Sequence, residues 1–362
     1  MKILYLTPSH IDYLSDQLYT GLCKTLGWES VIDYPYKKHY HDPQWQVRPL
    51  PQNPGRPYES EEIISKLKQH EFDCVVLSAI RREALDPLHT LSRTCTLPPL
   101  ILVDGDDGIE VNKNLFQQYG FALYFKREYL SLNNVGLGTL RMKYKVFGLS
   151  QNIADRTYPL PFSAILDGIP ELKMQEQNID ISFVGLASHR NRIRAVKLLG
   201  EATDLRFTGT VFAEPTTRKS KLALGIKDIF KAKVQGDPYA TDRDQKGKLS
   251  YEDYFELLAQ SKMALSIRGA GFDTVRYWEI VASKRLLVSE TPYIHIPHNF
   301  EHGKHALFCR PDLSDLVDIV RASLKDEACR QSMIEQAYQH LLRYHTCEQR
   351  AKQFLEICRT KL

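Results

Sequence analysis

The chain has 362 residues, enough for two domains at ~150 residues each, or one large domain. Apolar residues make up 43% and charged residues 25%, so the chain can bury a core, and disorder is excluded as its main state. Lys and Arg number 48 against 44 Asp and Glu; the resulting +4 is too near neutral to mark a nucleic-acid binder.

The opening MKILYLTPSH turns polar at Thr7, too early for the ~7–15-residue apolar region of a signal peptide, and reads as a first strand. A helix over 12–26 follows. The loop between them holds His10, and His10 and Asp12 are candidates for a general base. Residues 34–58 are rich in Pro, Tyr, His and Gln and read as a long surface loop. Its aromatics (Tyr34, Tyr36, Tyr40, Trp45, Tyr58) offer ring faces on which a ligand can stack, the makings of a lid. Ser60 is positioned to cap a helix whose Ile63, Ile64 and Leu67 share one face. Then come a strand over 72–79, a helix over 81–91, a strand over 99–104, a helix over 109–119 and a strand over 121–125. Strands alternating with helices predict an α/β fold with parallel strands and right-handed crossovers. After the strand ending at Asp104 stands Asp104-Gly105-Asp106-Asp107-Gly108. Carboxylates in that pattern can hold a divalent cation through hard oxygens. A structural or ligand-side loop role and plain turn and capping chemistry use the same residues, and no metal is assigned. Lys126-Arg127-Glu128, after the strand, reads as a solvated charge cluster, with contact to an anionic ligand as the other reading.

Residues 158–178 contain three prolines and little periodicity, the pattern of an interdomain linker. A second series opens with a strand over 179–187 that runs into the basic loop SHRNR, then a helix to Glu201 and a short strand over 205–208. Residues 210–249 carry nine Lys or Arg and five acids. That segment is a solvated insertion or a peripheral contact with an anionic membrane surface, worth ~1 kcal/mol per placed cation. A helix over 251–260, a strand over 262–267, a helix over 273–283, strands over 285–289 and 305–309, and three helices complete the chain. His295, His298, His302 and His305 have only Glu301 at ligand spacing, so zinc is not favoured. No apolar run reaches the ~18–20 residues that span a bilayer. The seven cysteines are scattered, odd in number and never paired as C-x-x-C, which fits a reducing cytoplasm and no disulfide scaffold.

The segment 268–283 is the most informative. Arg268-Gly269-Ala270-Gly271-Phe272 leaves a strand, and Asp273-Thr274 open a helix. Glycines let backbone approach a ligand, and free N–H groups at a helix start attract phosphate. Arg268 can add a bidentate contact. Asp273 is expected as the N-cap, its carboxylate turned back onto its own helix. Glu279 lies on one helical stripe with Val275 and Ala282. A carboxylate on an apolar stripe needs donors, and a ribose diol offers two; an i, i+3 pair with Arg276 is the other reading.

KMALSIRGAGFDTVRYWEIVASKRLLVSE, followed by FEHGKHALFCRPDLSDLVDIVRASLKDEACRQSMIEQAYQHLLRYHT, resembles the C-terminal domain of a GT-B glycosyltransferase of the spore-maturation-protein-like (CgeB-type) group. The shared features are the Glu279 helix, a His-Gly loop, and tandem helices ending in Tyr-His-Thr. SFVGLASHRNR resembles the first strand and basic loop of that domain, and the likeness covers about residues 179–362. DGDDG and YFKREYL resemble N-terminal elements of its relatives less closely. The resemblance implies two Rossmann-like α/β domains facing a cleft: 1–172 on the acceptor side, 173–345 on the nucleotide-sugar side, and a C-terminal helix over 346–362 packing back on the first. It implies a UDP- or GDP-sugar donor, an unidentified acceptor and no redox cofactor. Arg190 or Arg192 would neutralise the diphosphate, with Arg268, Gly269, Gly271, Asp273, Thr274 and Arg276 around it and Glu279 on the ribose. Many relatives carry a second glutamate eight positions before Glu279, where this chain has Gly271. An epimerase or hydrolase on this architecture, or a nucleotide-binding module without transferase activity, are the alternatives.

Overall fold

The computed structural model describes residues 1–45, 50–130, 151–172, 176–212 and 249–362. Most of the basic segment 210–249 lies outside the described residues. The chain forms two units. The first comprises Met1–Gly168, Tyr293–Asn299 and Arg343–Leu362; the second comprises Ile169–Pro292 and Phe300–Leu342.

In the first unit, short apolar runs pair into a six-stranded parallel sheet: β1 (Ile3–Leu6), β2 (Val31–Tyr34), β3 (Cys74–Leu77), β4 (Leu100–Asp104), β5 (Leu123–Lys126) and β6 (Thr157–Pro159). Their order is β2-β1-β3-β4-β5-β6. ILYL and CVVL are buried at every residue, as strands covered on both faces must be. The sequence reading assigned no strand to either β2 or β6: its loop began at Tyr34 and its linker at Tyr158. Both are edge strands, where short length and an Asp or Pro are tolerated and the apolar signal fades. The helix Ser60–Lys68 is capped by Glu59, not by Ser60. Ser60 Oγ instead pairs with the Tyr34 hydroxyl at 2.7 Å.

The cluster Lys126-Arg127-Glu128 is not solvated: exposures are 0%, 3% and 0%. Parallel pairing of β4 with β5 sets Asp104 against Lys126, and the two form an ion pair at 2.9 Å. The Tyr124 hydroxyl also donates to Asp104, Arg127 pairs with Asp107, and Arg81 lies 3.1 Å from Asp106. All three carboxylates of the acidic cluster therefore have a cation beside them.

At the end of β2, His41 Nε2 lies 3.0 Å from Asp33, and Nδ1 lies 2.7 Å from the Asn53 carbonyl oxygen. Burial lowers the imidazole pKa, but the Asp33 carboxylate and the Asn53 carbonyl outweigh it and the net direction is upward. A pKa raised on folding stabilises fully below the unfolded value of ~6.5 and is lost as pH climbs through the folded value. The urea midpoint is therefore expected to fall as the pH rises above ~6.5, and His41→Asn to flatten that fall. An equal fall in the variant would remove His41 as its source.

The second unit holds a five-stranded parallel sheet: β7 (Ile179–Leu186), β8 (Phe207–Phe212), β9 (Ser261–Ser266), β10 (Leu286–Glu290) and β11 (Leu307–Cys309). The order is β11-β10-β9-β7-β8. β8 begins later than the expected 205–208, because Leu205 closes a turn onto Ala202 and pairing with β7 starts at Phe207. Helices Arg190–Glu201, Tyr251–Ala259, Val275–Ala282, Leu316–Lys325 and Glu327–Tyr344 follow the predicted alternation.

The four clustered histidines serve separate ends. The His295 backbone N–H donates to Tyr129, and His298 stacks on Tyr344. His302 Nδ1 accepts from Phe308 N–H, and His305 Nδ1 from Glu301 N–H. Among the described residues no helix is long and apolar enough to cross a membrane.

Candidate active site

In the second sheet the chain enters at β7, turns to β8 on one side, and continues through β9 on the other. That reversal leaves a crevice beyond the carboxyl ends of β7 and β9, where open α/β sheets bind ligands. The loops after β7 and β9 meet there, with the last residue of β10 beside them.

The loop after β7 leads into helix Arg190–Glu201. His189 is its N-cap: Nδ1 accepts the Asn191 N–H at 3.1 Å. Burial, then the charges of Arg268, Arg190 and Arg192, lower the His189 pKa to about 4, so the ring is neutral at pH 7. Arg190 is exposed on the first turn, whereas Asn191 and Arg192 are buried. Arg192 Nε donates to the carbonyls of Ile267 (3.1 Å) and Arg268 (3.0 Å), and Nη1 donates to Leu186 (3.0 Å). Arg192 therefore fastens the end of β7 to the end of β9.

After β9 the backbone turns tightly, with Gly269 N–H donating to Gly271 O at 2.9 Å. A Cβ at Gly269 would sit 3.0 Å from both Arg192 Nη2 and Ser188 Oγ; at Gly185 it would sit 3.3 Å from Arg276 Nη2. Both glycines thus make room for the chain's own guanidinium groups. The sequence reading had assigned Gly269 to close approach of a ligand. The helix begins at Val275 and Thr274 is its N-cap, one residue later than expected. Asp273 does turn back onto this helix, but it accepts the Trp278 indole N–H at 2.9 Å. Thr274 Oγ1 pairs with Ser266 Oγ at 3.0 Å, tying the helix start to β9. Arg276 donates to the Val184 carbonyl and lies over the Phe183 ring, so its guanidinium is directed to β7. Glu279, one turn further along, is 7% exposed.

Sequence reasoning missed Glu290, the last residue of β10. It is 2% exposed and accepts the Arg268 N–H at 2.9 Å. Burial pushes its carboxyl above the usual carboxylate range, against the pull of Arg268 and Asn191. The only available signal was an acid ending the apolar run RLLVSE.

In the first unit, His10 is exposed and its Nδ1 lies 3.9 Å from Glu83. Asp12 caps the first helix, Tyr13–Leu26, by accepting the Ser15 N–H at 3.1 Å.

The chain's likenesses fit this geometry. A family model described as glycosyl transferase-like matches residues 216–356, which include Arg268 and Glu279. No curated protein matches. HepE of Anabaena, solved with UDP-glucose, superposes with a TM-score of 0.62 over 99% of this chain and all of its own, at 11% identity. A glycosyltransferase of Rickettsia africae gives 0.61 over 99% of this chain and 98% of its own, at 11% identity. A DNA-modifying β-glucosyltransferase gives 0.54 over both full chains at 14% identity.

The fold is GT-B. Each of the two parallel sheets described above is one Rossmann-like half of the GT-B architecture.

Proposed function

We propose that the protein transfers a hexosyl group from a nucleoside-diphosphate sugar, UDP-linked in the first instance, to a hydroxyl-bearing acceptor. One observation carries the reading: a buried glutamate, Glu279, sits one turn into the helix that follows the Arg268 glycine turn, at the switch point of a GT-B sheet. Glu279 accepts two ribose hydroxyls. Arg190 and Arg268, with the N–H groups at the start of the Glu279 helix, receive the diphosphate. Arg192, Arg276 and Gly269 hold that frame.

In the reaction, the bond from the anomeric carbon to the phosphate oxygen breaks. The nucleoside diphosphate leaves with the electron pair, the acceptor oxygen bonds to the anomeric carbon, and a base takes its proton. Charge grows on the leaving diphosphate, so cations fixed beside it favour the transition state over the ground state. His10 and Asp12 remain the candidates for the base. The cations beside Asp104, Asp106 and Asp107 argue against a divalent metal at that cluster. The His-Gly loop and Tyr-His-Thr element favour the spore-maturation-protein-like group, and seven free thiols favour a reducing compartment. HepE, whose crystals hold UDP and glucose, is the reason for placing uridine first.

Calorimetric titration with UDP, UDP-glucose, GDP and GDP-mannose tests the reading. UDP and its sugar are expected to bind, with affinity unchanged by EDTA. Failure of every nucleotide to bind would overturn the proposal; loss of binding in EDTA would restore a metal.

A further inference from the structure

We propose that Glu290 is a positioning residue for the donor's diphosphate: its carboxylate holds the glycine turn after β9 and the first turn of the His189-capped helix in one fixed relation. This inference rests on the function proposed above. Glu290 Oε1 accepts the Arg268 N–H at 2.9 Å, and Oε2 accepts Asn191 Nδ2 at 3.2 Å. Arg268 Nε lies 3.5 Å from Oε2. Asn191 Nδ2 also donates to the Pro311 carbonyl at 2.9 Å, so the loop after β11 joins the same knot. Glu290 is 2% and Asn191 6% exposed, so water does not compete for these bonds.

The two segments that Glu290 joins are those that carry Arg268 and Arg190. A hydrocarbon side chain at 290 would fill the space, but it would leave the Arg268 N–H and one Asn191 N–H without this acceptor. Only a carboxylate offers acceptors to both segments and to the Arg268 guanidinium. Its charge also draws that guanidinium to the end of β10. Preorganisation of this kind acts on the diphosphate end of the donor and not on the nucleoside.

That asymmetry supplies the test. UDP and uridine are titrated against the wild type, Glu290→Gln, Glu290→Ala and Glu279→Ala, with urea midpoints recorded for each. Glu290→Gln keeps the size and one acceptor oxygen but sets an amide NH2 against one of the two donors, and it removes the charge beside the Arg268 guanidinium. It is expected to raise the Kd for UDP about 10-fold, leave that for uridine within about 2-fold, and barely move the midpoint. Glu290→Ala is expected to do the same more strongly if it folds. Glu279→Ala is expected to weaken both ligands. Wild-type UDP affinity in Glu290→Gln, or equal weakening of UDP and uridine, would overturn the inference while leaving the function standing. A wild type that binds neither UDP nor GDP would remove the function and this inference with it.

Discussion

Glu279→Ala is expected to weaken UDP binding by about 100-fold. Each hydrogen bond from a ribose hydroxyl to a carboxylate contributes ~1.5–3 kcal/mol, and two are proposed. Drying a buried carboxylate on binding offsets part of this, leaving ~2.7 kcal/mol. Glu279 is 7% exposed on a helix whose N-cap is tied to β9, so little rearrangement is available to compensate. Calorimetry reads the change directly, and uridine should weaken in parallel because the ribose is common to both. Unchanged affinity for both ligands would remove Glu279 from the site.

Gly21→Ala should destabilise the first unit by ~2–3 kcal/mol, although helix propensity alone favours alanine by ~1 kcal/mol. Gly21 lies in the interior of helix Tyr13–Leu26, where a glycine has no conformational use. Its role is steric. A Cβ there would lie 2.6 Å from the Cys347 carbonyl carbon, closer still to its oxygen, and 3.0 Å from Ala351 Cβ. The neighbour is backbone of the C-terminal helix Cys347–Lys361, which cannot swing aside as a side chain would. Lys24, one turn on, pairs with Glu348 at 2.7 Å and also with Asp167, so the helices would separate against an ion-pair cluster. Urea unfolding measures the loss. A variant as stable as the wild type would show that the two helices can part at no cost.

The site was partly legible before the fold was known. Glu279 stood out because an acid on an apolar helical stripe violates local patterning, and such violations mark sites. Arg268 and the glycine turn were visible because strand, turn and helix follow one another in sequence. The role of Arg192 was not legible. Its partners are carbonyls 75 and 76 residues away, and no local rule couples a basic loop to a distant strand end. Asp104 and Lys126 looked like loop or turn chemistry and a solvated cluster, because only the β4–β5 register sets them opposite each other.

By itself the sequence determined what depends on near neighbours. It set the alternation of apolar runs and amphipathic helices, hence two parallel α/β sheets, and it set the acid and arginines at one strand-to-helix turn. Helical and strand periods act over a few residues, so they can be read from one segment at a time. The tertiary structure alone decided which charges are buried, which glycines make room for arginine or for another helix, and that Glu290 joins two loops. Those outcomes depend on which distant segments the register and crossovers bring within hydrogen-bond range, where the cost of an unpaired buried charge selects the partner.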